Sequence, residues 1–379
     1  MFYKLLTSKH KFLYTNTIFP SNMISHRKYI EMALKLAEKG KGNVSPNPLV
    51  GSLIVKRGKV VGRGWHKKCG DAHAEVCALK EAGKKAKQSI MYVTLEPCSH
   101  WGRTPPCTEQ IVEAGVREVV IAMHDPNPKV NGYSELKFRG VKTRIGILEE
   151  EAKKLNEPYS KWIKAKKPFV VAKAAMSLDG QIATKTGDSK YITGKEARKF
   201  VHELRAGYDA VMVGSNTVAK DNPQLTVRLA KGRNPIKIVL DSTLKISMSA
   251  KIVKTEPSKL IIATSKKASK VKIKKLMHKG VHVLVIDTLN GKIDLKKLMK
   301  ELGKREICSI LIEGGAELNA EAIKSGIVDK VLFFISPKFI GKGLAALGDM
   351  GINKVDKSIK LKELDYCKIG RDILLEGYL

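Results

Sequence analysis

At 379 residues the chain is long enough for two ordinary domains, and its 43% hydrophobic and 28% charged residues match folded globular proteins rather than disordered or membrane-spanning ones. The formal net charge of +33 raises nucleic-acid binding, yet the excess is mostly lysine spread along the whole chain, which reads as a solvated basic surface suited to anionic small substrates. The apolar runs fall far short of the roughly 20 residues of a membrane span, and six cysteines are too few for a disulfide scaffold, so a reducing cytoplasm is expected.

Residues 1–22 carry Lys4, Lys9 and Lys11, several hydroxyl residues and no acid. They lack the apolar core of a secretory signal and no arginine precedes Arg27, so a disordered extension is expected in preference to an organellar transit peptide. The spacing of Ile30, Leu34 and Ala37 predicts a helix over 27–39, which Gly40 and Gly42 end. Pro46 and Pro48 force an extended loop around Asn47, and a hairpin follows over 49–55 and 59–64. A helix over 72–82 with Asp71 as N-cap, a strand over 90–95, a loop over 96–106, a helix ending at Gly115 and a strand over 116–123 complete a three-layer α/β sandwich. Residues 149–167 turn from acidic to basic in a helical pattern and read as a connector closed by Pro168. Strands are then predicted over 169–175, 210–214, 236–240, 260–263, 281–286, 310–312 and 330–335, with helices between several of them. The expected organisation is an extension (1–22), a first domain (23–148), a connector (149–168) and a second α/β domain (169–379).

Chemistry concentrates first at His73-Ala74-Glu75 and in the loop ending the following strand, where Pro97-Cys98 and Pro106-Cys107 bring two cysteines to a helix start. One histidine and two thiolates are a donor set that zinc prefers, and three protein ligands leave a fourth position open, as in catalytic sites. Glu75 is too near His73 in sequence to be a comfortable co-ligand, and a carboxylate beside the metal can move protons. A His-x-Glu followed by Pro-Cys and a second Cys is the pattern of zinc deaminases, although eight residues separate Cys98 from Cys107 where two are usual. Cys77, four residues after His73, is a rival ligand. His66 and His100 are candidate substrate contacts. The charge keeps a deaminase of nucleic-acid bases with an accessory domain as an alternative, but aromatics make up only 6% of the chain.

These residues, with Ser45-Pro46-Asn47-Pro48-Leu49-Val50-Gly51, Gly64-Trp65-His66 and the whole 97–107 loop, closely resemble the bifunctional deaminase–reductase family of riboflavin biosynthesis, from Met23 to about Leu379. The resemblance implies a cytidine-deaminase-like three-layer α/β/α domain joined to a dihydrofolate-reductase-like α/β domain. It implies a free small-molecule substrate, 2,5-diamino-6-ribosylamino-4(3H)-pyrimidinone 5′-phosphate, deaminated at C2 with one zinc per chain. NADPH then reduces the ribosyl group to ribityl. Neither nucleic acid nor membrane is an expected partner, and a homo-oligomer is expected. By resemblance His73, Cys98 and Cys107 hold the metal, Glu75 is catalytic, and Asn47 and His100 hold the pyrimidine. One departure lies at Asn131-Gly132-Tyr133-Ser134, where the family has a glycine-richer, slightly longer segment.

In the second domain Glu313-Gly314-Gly315 sits between a strand and a helix, where backbone amides can approach a phosphate, although the Gly-x-Gly-x-x-Gly fingerprint is missing. The loop from Asp221 to Arg228 ends in an arginine able to grip a phosphate. The resemblance places Ala175, Tyr191, Thr217, Asp221 and Gly315 around NADPH, and Ser189, Arg205, Leu225, Arg228 and Glu313 around the ribosyl phosphate. Tyr191 stands where the family often has tryptophan, and Asp179 is either a turn residue or part of the site wall.

Overall fold

A computed structural model describes residues 21–101 and 105–379, with side chains from His26 onward. The expectations for the N-terminal extension up to residue 20, and for residues 102–104 of the cysteine loop, lie outside the described residues. The chain divides into two compact units, Met1–Ala165 and Lys166–Leu379.

In the first unit, helix α1 (Ser21–Ala37) presents Ile30, Ala33, Leu34 and Ala37, all fully buried at helical spacing. The sheet comprises β1 (Gly51–Lys56), β2 (Lys59–Trp65), β3 (Ile90–Leu95), β4 (Glu118–Met123) and β5 (Lys142–Ile145), in the order β2-β1-β3-β4-β5. The β1 pairings are antiparallel and the β3–β4 and β4–β5 pairings parallel. Two glycines set the layers. A Cβ on Gly51 would stand 2.0 Å from the Ala33 carbonyl of α1, and one on Gly64 would stand 2.0 Å from the Ala74 carbonyl of helix α2 (Ala74–Ala82). Gly64 pairs with Ser52, the neighbour of Gly51, and successive strand residues face opposite sides. Helices α1 and α2 therefore cover opposite faces, which gives the three layers. Helices α3 (Cys107–Glu113), α4 (Gly132–Phe138), α5 (Glu149–Leu155) and α6 (Glu157–Ala165) complete the unit, with Ala152 and Tyr159 in its core. Helix α2 starts at Ala74, later than the sequence pattern suggests, so His73 rather than Asp71 occupies the N-cap position and keeps its imidazole for another use.

The second unit is built on a nine-stranded sheet whose order is β11-β10-β9-β8-β14-β6-β15-β18-β17. These strands are β6 (Phe169–Ser177), β8 (Ala210–Gly214), β9 (Ile236–Leu240), β10 (Leu260–Thr264), β11 (His282–Val285), β14 (Ser309–Ile312), β15 (Lys330–Ser336), β17 (Lys362–Ile369) and β18 (Asp372–Tyr378). All pairings from β11 to β15 are parallel, whereas β18 and β17 add an antiparallel edge. Short pairs β12 (Thr288–Leu289) with β13 (Lys292–Ile293), and β7 (Gln181–Thr184) with β16 (Gly343–Ala345), lie outside the main sheet. The helices used below are α7 (Lys195–Gly207), α8 (Ser215–Asp221), α9 (Lys270–His278), α10 (Leu295–Lys304) and α11 (Ala316–Lys324). Helix α10 buries Leu295, Leu298, Met299 and Leu302 against a core that includes Val170, Met212 and Ile310.

Candidate active sites

His73 ends the loop before α2, Cys98 lies just past β3, and Cys107 opens α3. His73 Nδ1 lies 3.3 Å from Cys107 Sγ and 3.6 Å from Cys98 Sγ, and the three potential ligand atoms fall within 4.8 Å of one another. Tetrahedral zinc, with Zn–N near 2.0 Å and Zn–S near 2.3 Å, separates nitrogen from sulfur by about 3.5 Å. The observed spacings fit that ion. The backbone N–H of Cys107, at the start of α3, donates to Cys98 Sγ at 3.3 Å, which favours the thiolate. Hydrogen bonding from Cys107 draws the Cys98 thiol down to about 4, while Cys107, bonded to that sulfur and buried, is driven up. A cation held by these residues would favour the thiolate form of both.

Glu75 follows in the first turn of α2 and is buried, which pushes its carboxyl up to about 7. Cys77, half-buried on the same helix, points its sulfur toward the Ala72 carbonyl at 3.9 Å and does not join the ligand cluster. Buried His66 packs edge-on to His73 and meets Asn47, with His66 Nε2 and Asn47 Nδ2 3.0 Å apart. Its other nitrogen lies 3.2 Å from the Ala72 carbonyl. His66 is thus a support for Asn47. His100 is exposed on the cysteine loop.

The segment at 131–133 carries part of this architecture. Gly132 closes on Pro97 so tightly that a Cβ would stand 2.0 Å from its carbonyl oxygen. Asn131 N–H donates to Ser99 Oγ and Tyr133 N–H to the buried carboxylate of Glu96, each at 2.8 Å. Glu96 also meets His124 Nδ1 at 2.8 Å and accepts from Asp125 N–H at 3.2 Å. The strand end that presents Cys98 is therefore held on both sides.

In the second unit, α8 and α11 begin after Gly214 and Gly315, at the carboxyl ends of the adjacent parallel strands β8 and β14. Both helix starts border a cavity of about 850 Å³, toward the upper end of the size of small-molecule sites. Thr217, Asp221 and Gly315 line it, as do Ser189 and Glu313. Ala175, Tyr191, Arg205, Leu225 and Arg228 are outside that lining. Arg205 nevertheless reaches the site through Glu313, which it grips with two hydrogen bonds of 2.6 and 2.9 Å. Lys173 Nζ stands 3.8 Å from the same carboxylate. Burial opposes ionisation of Glu313, but Arg205 and then Lys173 hold its carboxyl down at about 2. Arg205 also donates to the Thr226 carbonyl at 3.2 Å and Arg228 to Thr226 Oγ1 at 2.9 Å, so the two arginines converge on one residue. Leu225, buried with φ of 53°, makes the turn before it. Tyr191 is exposed beneath the Arg198 guanidinium, 4.2 Å from the ring centroid. Asp179 serves as a turn anchor, accepting from Ser177 Oγ and from the backbone N–H groups of Ile340 and Gly341.

A His/Cys/Cys set able to hold a metal ion, at a His-x-Glu helix start, and a cavity bordered by two helix N-termini thus lie in separate units. The family description "Cytidine and deoxycytidylate deaminase zinc-binding region" matches residues 23–123, and "RibD C-terminal domain" matches residues 168–375. Riboflavin biosynthesis protein RibD of Aquifex aeolicus is 44% identical, the match covering 92% of this chain and 97% of that protein. The chain belongs to the RibD family. RibD of Escherichia coli is 38% identical over 92% of this chain and 97% of its own length. RibD of Acinetobacter baumannii superposes with a TM-score of 0.84 at 36% identity, covering 94% of this chain and 99% of that one. A Thermotoga maritima structure described as a diaminohydroxyphosphoribosylaminopyrimidine deaminase/5-amino-6-(5-phosphoribosylamino)uracil reductase gives 0.83 at 37% identity, with 94% and 99% coverage. As a RibD-family member the chain is a bifunctional enzyme of riboflavin biosynthesis, a zinc deaminase followed by an NADPH-dependent reductase.

Two further polar residues, Lys173 and His202, belong to the second site. Lys173 carried a signal, a lone lysine in the apolar run Phe169–Ser177. His202, which accepts from Arg228 N–H at 3.0 Å, carried none beyond its place on an amphipathic helix.

Proposed function

We propose that the first unit deaminates 2,5-diamino-6-ribosylamino-4(3H)-pyrimidinone 5′-phosphate at C2, and that the second reduces the ribosyl group of the product to ribityl. The observation that carries the first half is the meeting of His73 Nδ1 with two sulfurs at spacings that suit tetrahedral zinc. His73, Cys98 and Cys107 would hold the ion, which when bound supplies a Lewis acid that makes water a nucleophile near neutral pH. Buried Glu75 takes a proton from the attacking water and returns protons to the ring nitrogen and the departing amine, so ammonia leaves as the new carbonyl forms. Asn47, held by His66, orients the pyrimidine, and His100 contacts it from the cysteine loop.

For the second half, NADPH supplies the hydride when bound, and Thr217, Asp221, Gly315, Ala175 and Tyr191 form its site. Amides at the two helix starts suit its phosphates. Arg205, Arg228, Ser189, Leu225 and Glu313 position the ribosyl phosphate portion of the substrate, and Lys173 adds positive charge beside Glu313. The substrate is a free phosphorylated pyrimidine, with no nucleic-acid partner, handled by a cytoplasmic homo-oligomer. No helix among the described residues is long and apolar enough to cross a membrane.

The test is a coupled assay on one sample of known zinc content. The diaminopyrimidine phosphate should release ammonia, and its product should then consume NADPH. Ammonia release that persists undiminished in Glu75→Gln would remove the assigned proton carrier.

A further inference from the structure

The loop that carries Asn47 has few ways to be held. Pro46 and Pro48 have no N–H, so Leu49 is the first residue after Asn47 able to donate a backbone hydrogen bond. That bond is not made to the sheet. Leu49 N–H donates to Asn156 Oδ1 at 2.8 Å, and Asn156 Nδ2 donates back to the Leu49 carbonyl at 3.0 Å. The side-chain amide thus grips both peptide groups of Leu49, much as a neighbouring strand would. The next carbonyl, that of Val50, accepts from His66 N–H at 3.0 Å, and His66 in turn reaches Asn47.

Asn156 is only 1% exposed and sits between α5 and α6, more than a hundred positions from Leu49 along the chain. Helix α6 has an anchor of its own near the metal ligands. Tyr159 Oη donates to Asp125 Oδ1 at 2.8 Å, Asp125 N–H donates to Glu96, and Glu96 precedes Pro97-Cys98. One short segment therefore touches the loop that bears Asn47 and, through Asp125 and Glu96, the strand end that bears Cys98.

We infer that Asn156 is a positioning residue for deamination, holding Asn47 against His66, which packs on the ligand His73, through Leu49, and that the α5–α6 pair is a working part of the first site. The inference rests on the reading of Asn47 as a substrate contact. A displaced Asn47 weakens substrate binding while leaving the metal and Glu75 in place, so the defect should fall on KM.

Asn156→Ala, Asn47→Ala and the double variant are assayed as full-length chains for zinc content, deamination kinetics and reduction of the deaminated substrate. Asn156→Ala should raise the deamination KM about tenfold, keep kcat within about twofold, retain zinc and leave reduction unchanged. In the Asn47→Ala background the same change should add less than about twofold, because both act through one contact. A wild-type KM in Asn156→Ala, a fully additive effect in the double variant, or a fall in zinc content with KM unchanged overturns the inference. A wild-type KM in Asn47→Ala overturns the reading of Asn47 itself, and the inference with it. Asn156→Asp keeps the acceptor for Leu49 N–H but loses the donor to its carbonyl, so an intermediate KM is expected. Should Asn156→Ala not yield soluble protein, the same comparisons are made with Asn156→Asp, and an unchanged KM there overturns the inference.

Discussion

The two sites solve the problem of burying polar groups in opposite ways. In the first unit, an imidazole and two sulfurs converge with their mutual charge left to a cation, and hydrogen bonds from Asn131 and Tyr133 N–H and between Glu96 and His124 hold the loop that presents them. In the second, opposite charges meet directly, with Arg205 and Lys173 around Glu313, beside a cavity. The first site is completed by an ion and the second by a large organic cofactor. Losing the ion should disarm the first site outright, whereas losing a charge partner in the second should damage the fold as well as the activity.

The sharpest way to break this contrast is Cys98→Ser. It should abolish both zinc retention and ammonia release while leaving NADPH consumption on the deaminated substrate within about twofold, consistent with separate sites. An equal loss of reduction would show that the two units share a site. Glu75→Gln is expected to lower deamination by about 10²–10⁴-fold with zinc content intact, read from metal analysis beside steady-state rates. Arg205→Ala leaves Glu313 buried without its principal partner. It should cost the second unit about 3–5 kcal/mol, measured by urea unfolding, and cut reduction without touching ammonia release.

The pH dependence of stability separates the units further. Burial, then the charges of Arg205 and Arg228, lower His202 from 6.5 to about 4. Above pH 6.5 the ring is neutral in both folded and unfolded chains and contributes no slope. Between pH 6.5 and about 4 the unfolded chain binds a proton that the folded chain refuses, so stability falls as pH falls. Glu313, lowered to about 2, adds its own loss only below the ordinary carboxylate range. Replacing His202 with glutamine should flatten the urea midpoint of the second unit between pH 6.5 and 4. A slope that survives would assign it elsewhere. The smallest effect is expected for Tyr191→Trp, which enlarges an aromatic ring on an exposed surface and should change the KM for NADPH by no more than about twofold.

How much of this was legible depended on distance along the chain. Strands β1 to β4 and helix α2 announce themselves by periodicity and punctuation, and the metal ligands lie at the ends of those elements within compact motifs. The reductase residues came from the family resemblance rather than from any local pattern. Strand β5, four residues of alternating exposure, and the edge strands β17 and β18, where charged and apolar residues mix, offered no comparable pattern. Asn156 follows a helical stretch and resembles any helix-ending asparagine, and its role depends on a partner at Leu49 that no local window contains. Lys173 was visible as an oddity in an apolar strand, but only the fold reveals that Glu313 is what it faces. Geometry around a helix start was likewise hidden. A side chain's preference for capping does not say that His73 will occupy the cap position and turn its ring away.

The contact at Gly64 bears on how natural variation in this enzyme is interpreted. Because a Cβ there would stand 2.0 Å from the Ala74 carbonyl, any larger residue must lift the start of α2, and His73 and Glu75 with it. A variant at Gly64 would touch neither metal nor substrate, yet in an activity screen it would be indistinguishable from an active-site lesion. A genetic map of deaminase loss should therefore include positions whose only contribution is the absence of a side chain.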